Sequence, residues 1–233
     1  MKEKLLALAA QYDIPLTAAG AAALCGYLER LLETNRVMNL TAITDPDEAL
    51  CKHLLDCLVA AALPEMAGRV ADVGAGAGFP SVVIKALRPE CEITALDATG
   101  KKLDFVASAS AACGLACRTA HIRAEDAGRD PGFRERFDTV AARAVAALPV
   151  LCEYCLPLVR VGGHFIAMKG PGAEQECAQA SAALQALGGE LLRAQTVTLP
   201  DGSQRVNLVI KKARPTPKSY PRRQKDIKAR PLG

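Results

Sequence analysis

The stretch ADVGAGAGFP, residues 71–80, decides how the chain is read. It follows an apolar run, RVADV (69–73), and precedes a segment with helical character, residues 81–88. Gly74, Gly76 and Gly78 stand at every second position between the two. A glycine turn between a strand and a helix lets backbone approach a ligand closely. Working outward, the pattern after Arg69 alternates. Strands are predicted over 69–73, 92–97, 117–122, 138–144, 163–169, 190–199 and 206–212, and helices over 81–88, 101–112, 147–158 and 173–187. That order predicts an α/β fold with a largely parallel, doubly wound sheet. Pro200-Asp201-Gly202-Ser203 joins the last two strands directly, a hairpin signal. The expected result is a Rossmann-like sheet ending in an antiparallel hairpin. Ligands of such sheets lie beyond the carboxyl ends of the strands.

Residues 1–67 read as an N-terminal helical region. Leu24, Leu28, Leu31 and Leu32 follow helical spacing, and Asp45-Pro46-x-Glu48 is a helix start. Residues 68–212 form the predicted catalytic domain and 213–233 a basic tail. The net charge of +4 hides this division. Residues 211–233 carry nine Lys or Arg against one Asp, so the remainder is mildly acidic. A basic end on an acidic body points to a polyanionic partner. The nine cysteines are scattered through apolar runs, which fits a reducing cytoplasm better than a disulfide framework. The apolar stretch Leu5–Ala10 is too short for a signal peptide, and no run is long enough to span a bilayer. A soluble cytoplasmic monomer without membrane association is the expectation.

The glycine spacing bears on the cofactor. A dinucleotide loop has G-x-G-x-x-G, which would put its third glycine at 79, where Phe79 stands. The observed G-x-G-x-G suits a ligand without a pyrophosphate, namely S-adenosylmethionine (SAM). Asp72 fits the acidic residue that opens such a motif. Asp97 ends the second strand, where a carboxylate can accept both ribose hydroxyls. Glu125-Asp126 follow the third strand, where a group is set against the adenine. The acceptor is less constrained. No Asn/Asp-Pro-Pro-aromatic motif follows strand four, where the chain reads AARAVAALP. Cys152 and Cys155 lie on a predicted helix and read as small buried hydrophobes rather than nucleophiles. No second cysteine pair has metal-ligand spacing, so no metal is assigned. An acceptor with a free lone pair, such as guanine N7, needs only alignment. A different acceptor, or an assembly factor that binds RNA and SAM without turnover, remains open at this level.

Several segments together resemble the RsmG (GidB) family of bacterial methyltransferases, which modify guanine N7 in small-subunit ribosomal RNA. They are NRVMNLTAITDPDEALCKHLLDCL (35–58), ADVGAGAGFP (71–80), LDATGKKLDF (96–105), RAED (123–126), FDTVAARAVAAL (137–148), MKG (168–170) and SYPRRQKDIKARPL (219–232). The resemblance implies SAM contacts at Gly74, Phe79, Ala124, Glu125 and Arg143. Gly76, Gly78 and Asp97 join them from the loop and ribose arguments, with Ala98 and Thr99 at the pocket's rim. It departs from the family at Ser81, often Gly, and at Ala98-Thr99, often Ser-Leu. His53, Asp56 and Arg143 are candidates for the substrate pocket, with no residue assigned as general base. Arg36, Asn39, Lys169, Arg222, Arg223, Lys225 and Lys228 are the candidate RNA contacts, the partner being small-subunit ribosomal RNA or the subunit. Deleting 213–233 is expected to weaken RNA binding and leave SAM affinity intact.

Overall fold

The computed structural model describes all of residues 1–233. Seven strands form one sheet: β1 (Arg69–Val73), β2 (Glu92–Asp97), β3 (Arg118–His121), β4 (Phe137–Arg143), β5 (Val159–Lys169), β6 (Gly189–Thr198) and β7 (Gln204–Lys212). Their order is β3-β2-β1-β4-β5-β7-β6. The first five pair in parallel, and β7 runs antiparallel to both β5 and β6. β1 therefore has β2 on one side and β4 on the other, and the chain reverses direction across the sheet between them. That switch point is where a crevice opens.

The helices are α1 (Lys2–Gln11), α2 (Ala18–Asn35), α3 (46–61), α4 (Ser81–Leu87), α5 (Gly100–Ala112), α6 (Ala124–Ala127), α7 (Leu148–Cys155), α8 (Ala173–Gln179), α9 (Ser181–Leu187) and α10 (Gln224–Ala229). Asp45 caps α3 by accepting the Glu48 N–H at 2.8 Å, with Pro46 in the first turn, as its sequence predicts. The middle of α3, Leu50–Leu55, is wound as a π-helix, which periodicity did not reveal. The one predicted helix over 173–187 is two, meeting at Ala180. This residue is fully buried, and the bend lets both short helices pack on α7. β5 starts at Val159 rather than 163, because Arg160, Gly162 and Gly163 mask its alternation.

Two apolar layers flank the sheet. Helices α1 to α5 share one core with one sheet face, through Leu24, Leu28, Leu54, Leu58, Val83 and Val106 among others. The N-terminal helices thus share one core with the sheet and helices that follow them. The opposite face is covered by α7, α8, α9 and α10, including Leu151, Cys155, Leu187 and Ile227. Cys152 and Cys155 are fully buried, in keeping with their reading as small hydrophobes.

The basic tail is folded onto the body. Glu153 of α7 is fully buried and takes three donors from Arg222: its backbone N–H at 2.7 Å, Nε at 2.9 Å and a guanidinium nitrogen at 2.7 Å. Arg134 donates to the Tyr220 and Thr216 carbonyls, and Arg129 to that of Pro221. Buried Lys212 donates to Thr216 Oγ1. No helix is long and apolar enough to cross a membrane.

Candidate functional site

Two cavities open at the carboxyl edge of the strands, divided by the segment that leaves β4. Val145 and Ala146 of that segment line one, while Arg143 and Ala144 line the other. Ala144 holds a positive φ of 54°, a conformation that costs a non-glycine residue free energy and here turns the chain between the two.

The first cavity, about 200 Å³, lies at the switch point. It brings together Gly74, Asp97, Ala98, Ala124 and Glu125, all predicted to contact the cofactor. The Asp97 carboxylate is oriented from both sides, accepting the Gly76 N–H at 2.9 Å and the Thr99 N–H at 2.8 Å. Each oxygen keeps a lone pair for ribose hydroxyls. Gly74 has φ 73°, and a Cβ there would stand 2.5 Å from a Val145 methyl, so the cradle needs glycine. Asp72 sits beneath the loop, fully buried, and accepts the Ser81 N–H at 3.0 Å and hydroxyl at 2.6 Å. It thereby caps the start of α4. Loss of hydration pushes its carboxyl up to about 6. Residues that sequence reasoning missed also line this cavity, among them Tyr154, Gln224 and Val145. Lys228, assigned to RNA from the sequence, lies here as well.

The side chains of Gly78's neighbour Phe79 and of Thr99 do not line this cavity. The Phe79 ring is buried against His53, stacked at 4.9 Å with a 7° interplanar angle. The same ring carries the Arg143 guanidinium 5.7 Å from its centroid. Gly78 is required for packing: a Cβ would approach the Tyr27 hydroxyl to 2.5 Å. That hydroxyl is already donated to Ala77 O at 2.9 Å.

The second cavity, about 430 Å³, is polar and mostly cationic. It joins Lys52, His53, Asp56, Arg143, Lys169 and Arg205. His53 and Asp56 are linked through Arg143 rather than to each other. One guanidinium nitrogen meets the Lys52 carbonyl at 2.8 Å and Asp56 at 3.4 Å; the other meets His53 Nδ1 at 3.3 Å. Since a guanidinium only donates, His53 Nδ1 accepts, and the ring proton sits on Nε2. Nε2 lies 2.8 Å from Thr41 Oγ1, to which it donates. Burial, then the Arg143 charge, lowers the His53 pKa to about 4, so the ring is neutral at physiological pH. Arg205, which sequence reasoning missed, approaches Asp56 from β7 at 3.4 Å. Lys169 pairs with Glu176 at 2.7 Å. Asn35 organises the preceding loop, accepting the Leu40 and Thr41 N–H groups at 2.8 and 3.0 Å and donating to the Thr41 carbonyl at 2.9 Å. This loop delivers Thr41 to His53 and leaves Arg36 and Asn39 exposed. Arg143, implied as a cofactor contact, thus belongs to the second cavity. Arg222, a candidate RNA contact, is paired with Glu153 at 2.7 Å.

The glycine cradle and the oriented strand-end carboxylate of Asp97 together fit SAM. A largely parallel seven-stranded sheet closed by an antiparallel hairpin, with this crevice, defines a Rossmann-like SAM-dependent methyltransferase. Similarity to solved structures agrees on the fold. An O-methyltransferase from Bacillus cereus in complex with SAH superposes with a TM-score of 0.56 at 18% identity, over 80% of this chain and 90% of that one. A ribosomal protein L11 methylase from Lactobacillus delbrueckii subsp. bulgaricus gives 0.54 at 15% identity, over 70% and 79%. At the level of sequence, the model of the rRNA small subunit methyltransferase G family (GidB) matches residues 21–206. Relatives named ribosomal RNA small subunit methyltransferase G include one from Symbiobacterium thermophilum, 50% identical over 213 residues (88% of this chain, 87% of the relative). Another, from Halalkalibacterium halodurans, is 44% identical over 210 residues (88% of each chain). The chain belongs to the rRNA small subunit methyltransferase G family.

Proposed function

We propose that this chain methylates N7 of a guanine in small-subunit ribosomal RNA, in the cytoplasm, with the base received in the cavity around His53, Asp56 and Arg143. One observation carries the choice of acceptor: every candidate base in that cavity is already engaged. His53 accepts from Arg143 and donates to Thr41, Asp56 lies between Arg143 and Arg205, and Glu176 holds Lys169. An exocyclic amine or hydroxyl acceptor must lose a proton, and a general base within reach assists it. N7 has a free lone pair and needs none.

When bound, SAM would supply a sulfonium methyl group: as the lone pair bonds to its carbon the carbon–sulfur bond breaks, the thioether leaves neutral and the positive charge passes to the methylated guanine. The chain's own residues align and bind. Asp97 and the loop around Gly74 hold the cofactor side. Arg143, fixed by Phe79, His53 and the Lys52 carbonyl, faces the acceptor side, where a guanidinium can hold guanine O6. Alignment alone can supply much of the rate enhancement in such a displacement. Arg36 and Asn39 on the α2–α3 loop, Lys169 at the cavity, and Arg223 and Lys225 on the tail supply phosphate and sugar contacts around the two openings.

The test is methyl transfer from labelled SAM to small subunits, or their RNA, lacking the modification, followed by borohydride reduction and aniline cleavage. A single cleavage site supports N7 and maps the guanine. Incorporated label without cleavage keeps the methyltransferase but discards N7. Arg143→Ala should abolish incorporation while SAM affinity falls less than tenfold.

A further inference from the structure

We infer that the C-terminal segment is part of the cofactor site, with Gln224, Lys228 and the Tyr154 hydroxyl closing the adenosine end of the bound SAM. The remaining walls of the 200 Å³ cavity come from β1, β2 and the turns after β3 and β4, as in any sheet of this plan. Gln224 and Lys228 enter from outside it, about eighty residues beyond Ala146, the last of those walls in the chain. They share the cavity with Ala124 and Glu125, the turn after β3 that the sequence sets against the adenine.

Two further observations point to a ligand. The Tyr154 ring is 5% exposed, and its buried hydroxyl has no well-formed hydrogen bond, only a weak approach from the Gln224 side chain. A buried hydroxyl without a partner is costly unless something meets it. The adenine ring and the ribose offer both donors and acceptors. The wall is also preformed. Arg222 locks to fully buried Glu153, next to Tyr154 on α7, and Ile227 is fully buried between Gln224 and Lys228. The fixed ends of α10 leave Gln224 and Lys228 little freedom to lose on binding. Deletion of 213–233 should therefore abolish SAM affinity along with RNA affinity, contrary to the expectation from sequence.

Calorimetric titration of the full chain tests this, using SAM and 5′-methylthioadenosine, which lacks the amino-acid part. Tyr154→Phe keeps the packing and removes only the hydroxyl; Gln224→Ala removes the amide. Each should weaken both ligands by the same factor, about three- to tenfold for one hydrogen bond, with the ligand-free melting temperature unchanged. SAM should also slow amide exchange across 220–229 in the wild type. Unchanged affinity in both variants overturns the inference. A loss for SAM but not for 5′-methylthioadenosine overturns the adenosine assignment. The inference rests on the cofactor reading above: a wild type that binds neither ligand overturns both, whereas wild-type binding with unaffected variants overturns only the tail's part.

Discussion

Arg222→Met isolates what fastens the tail. Glu153 is fully buried, whereas the Arg222 side chain is about a quarter exposed (26%). Methionine keeps most of the apolar stem and removes the guanidinium. Glu153 would then keep only the residue 222 backbone N–H, at 2.7 Å, to balance a buried charge. Removing one partner of a buried pair costs about 3–5 kcal/mol. Water reaching the exposed side of residue 222 holds the cost near the lower end, about 3 kcal/mol. For a domain of this size each kcal/mol lowers the melting temperature by about 2–4 °C, so a fall of about 6–12 °C is expected. Thermal unfolding followed by far-ultraviolet circular dichroism at pH 7.5 measures it. Adding Glu153→Gln removes the charge that Arg222 served, and should restore more than half of the loss. A fall below about 2 °C, or no recovery in the double variant, would refute the view that a buried charge pair docks this tail.

Other consequences are as direct. His53, at about 4 in the folded chain against 6.5 in the open one, destabilises the fold increasingly as pH drops from 6.5 to 4. Asp72 acts in the opposite sense: its folded value of about 6 lies above the ordinary 3.8, so stability is lost as pH rises from 3.8 to 6. The two slopes oppose across that window, so His53→Gln should uncover a fall in stability from pH 4 to 6, read by urea denaturation; a curve parallel to wild type contradicts the assignment of a neutral His53. Gly78→Ala should destabilise by well over 1 kcal/mol from its positive φ and the Tyr27 hydroxyl together. Tyr27→Phe should relieve part of that loss, and denaturant midpoints would show it. Asp97→Ala should weaken SAM about ten- to a hundredfold in a titration, because charge-assisted hydrogen bonds to the ribose are lost and the Gly76 and Thr99 amides lose their partner.

The fold's plan was legible because it rests on short-range patterns. Strand alternation and the glycine turn place β1 and β2 at their observed limits, and Asp45-Pro46 marks the start of α3. Asp97 could be placed at a strand end for the same reason. Residues within one strand-turn-helix unit report their own geometry. The NLTAI…KHLLD signature singled out His53 and Asp56, but the partner that joins them, Arg143, lies about ninety residues away. Spacing along one helix says nothing about such a contact.

Tertiary structure decided what the long-range neighbours do. It made the Phe79 ring a platform for His53 and Arg143, since ring stacking depends on packing between α3 and the glycine loop. It assigned Arg143 and Arg205 to one carboxylate from opposite strands. It also folded the basic tail onto the body, because a buried Glu153 awaited a cation and Ile227 an apolar socket. Charge and composition report that a segment is basic. Whether its cations face RNA, a buried carboxylate or a cofactor depends on partners that only the folded chain brings within reach.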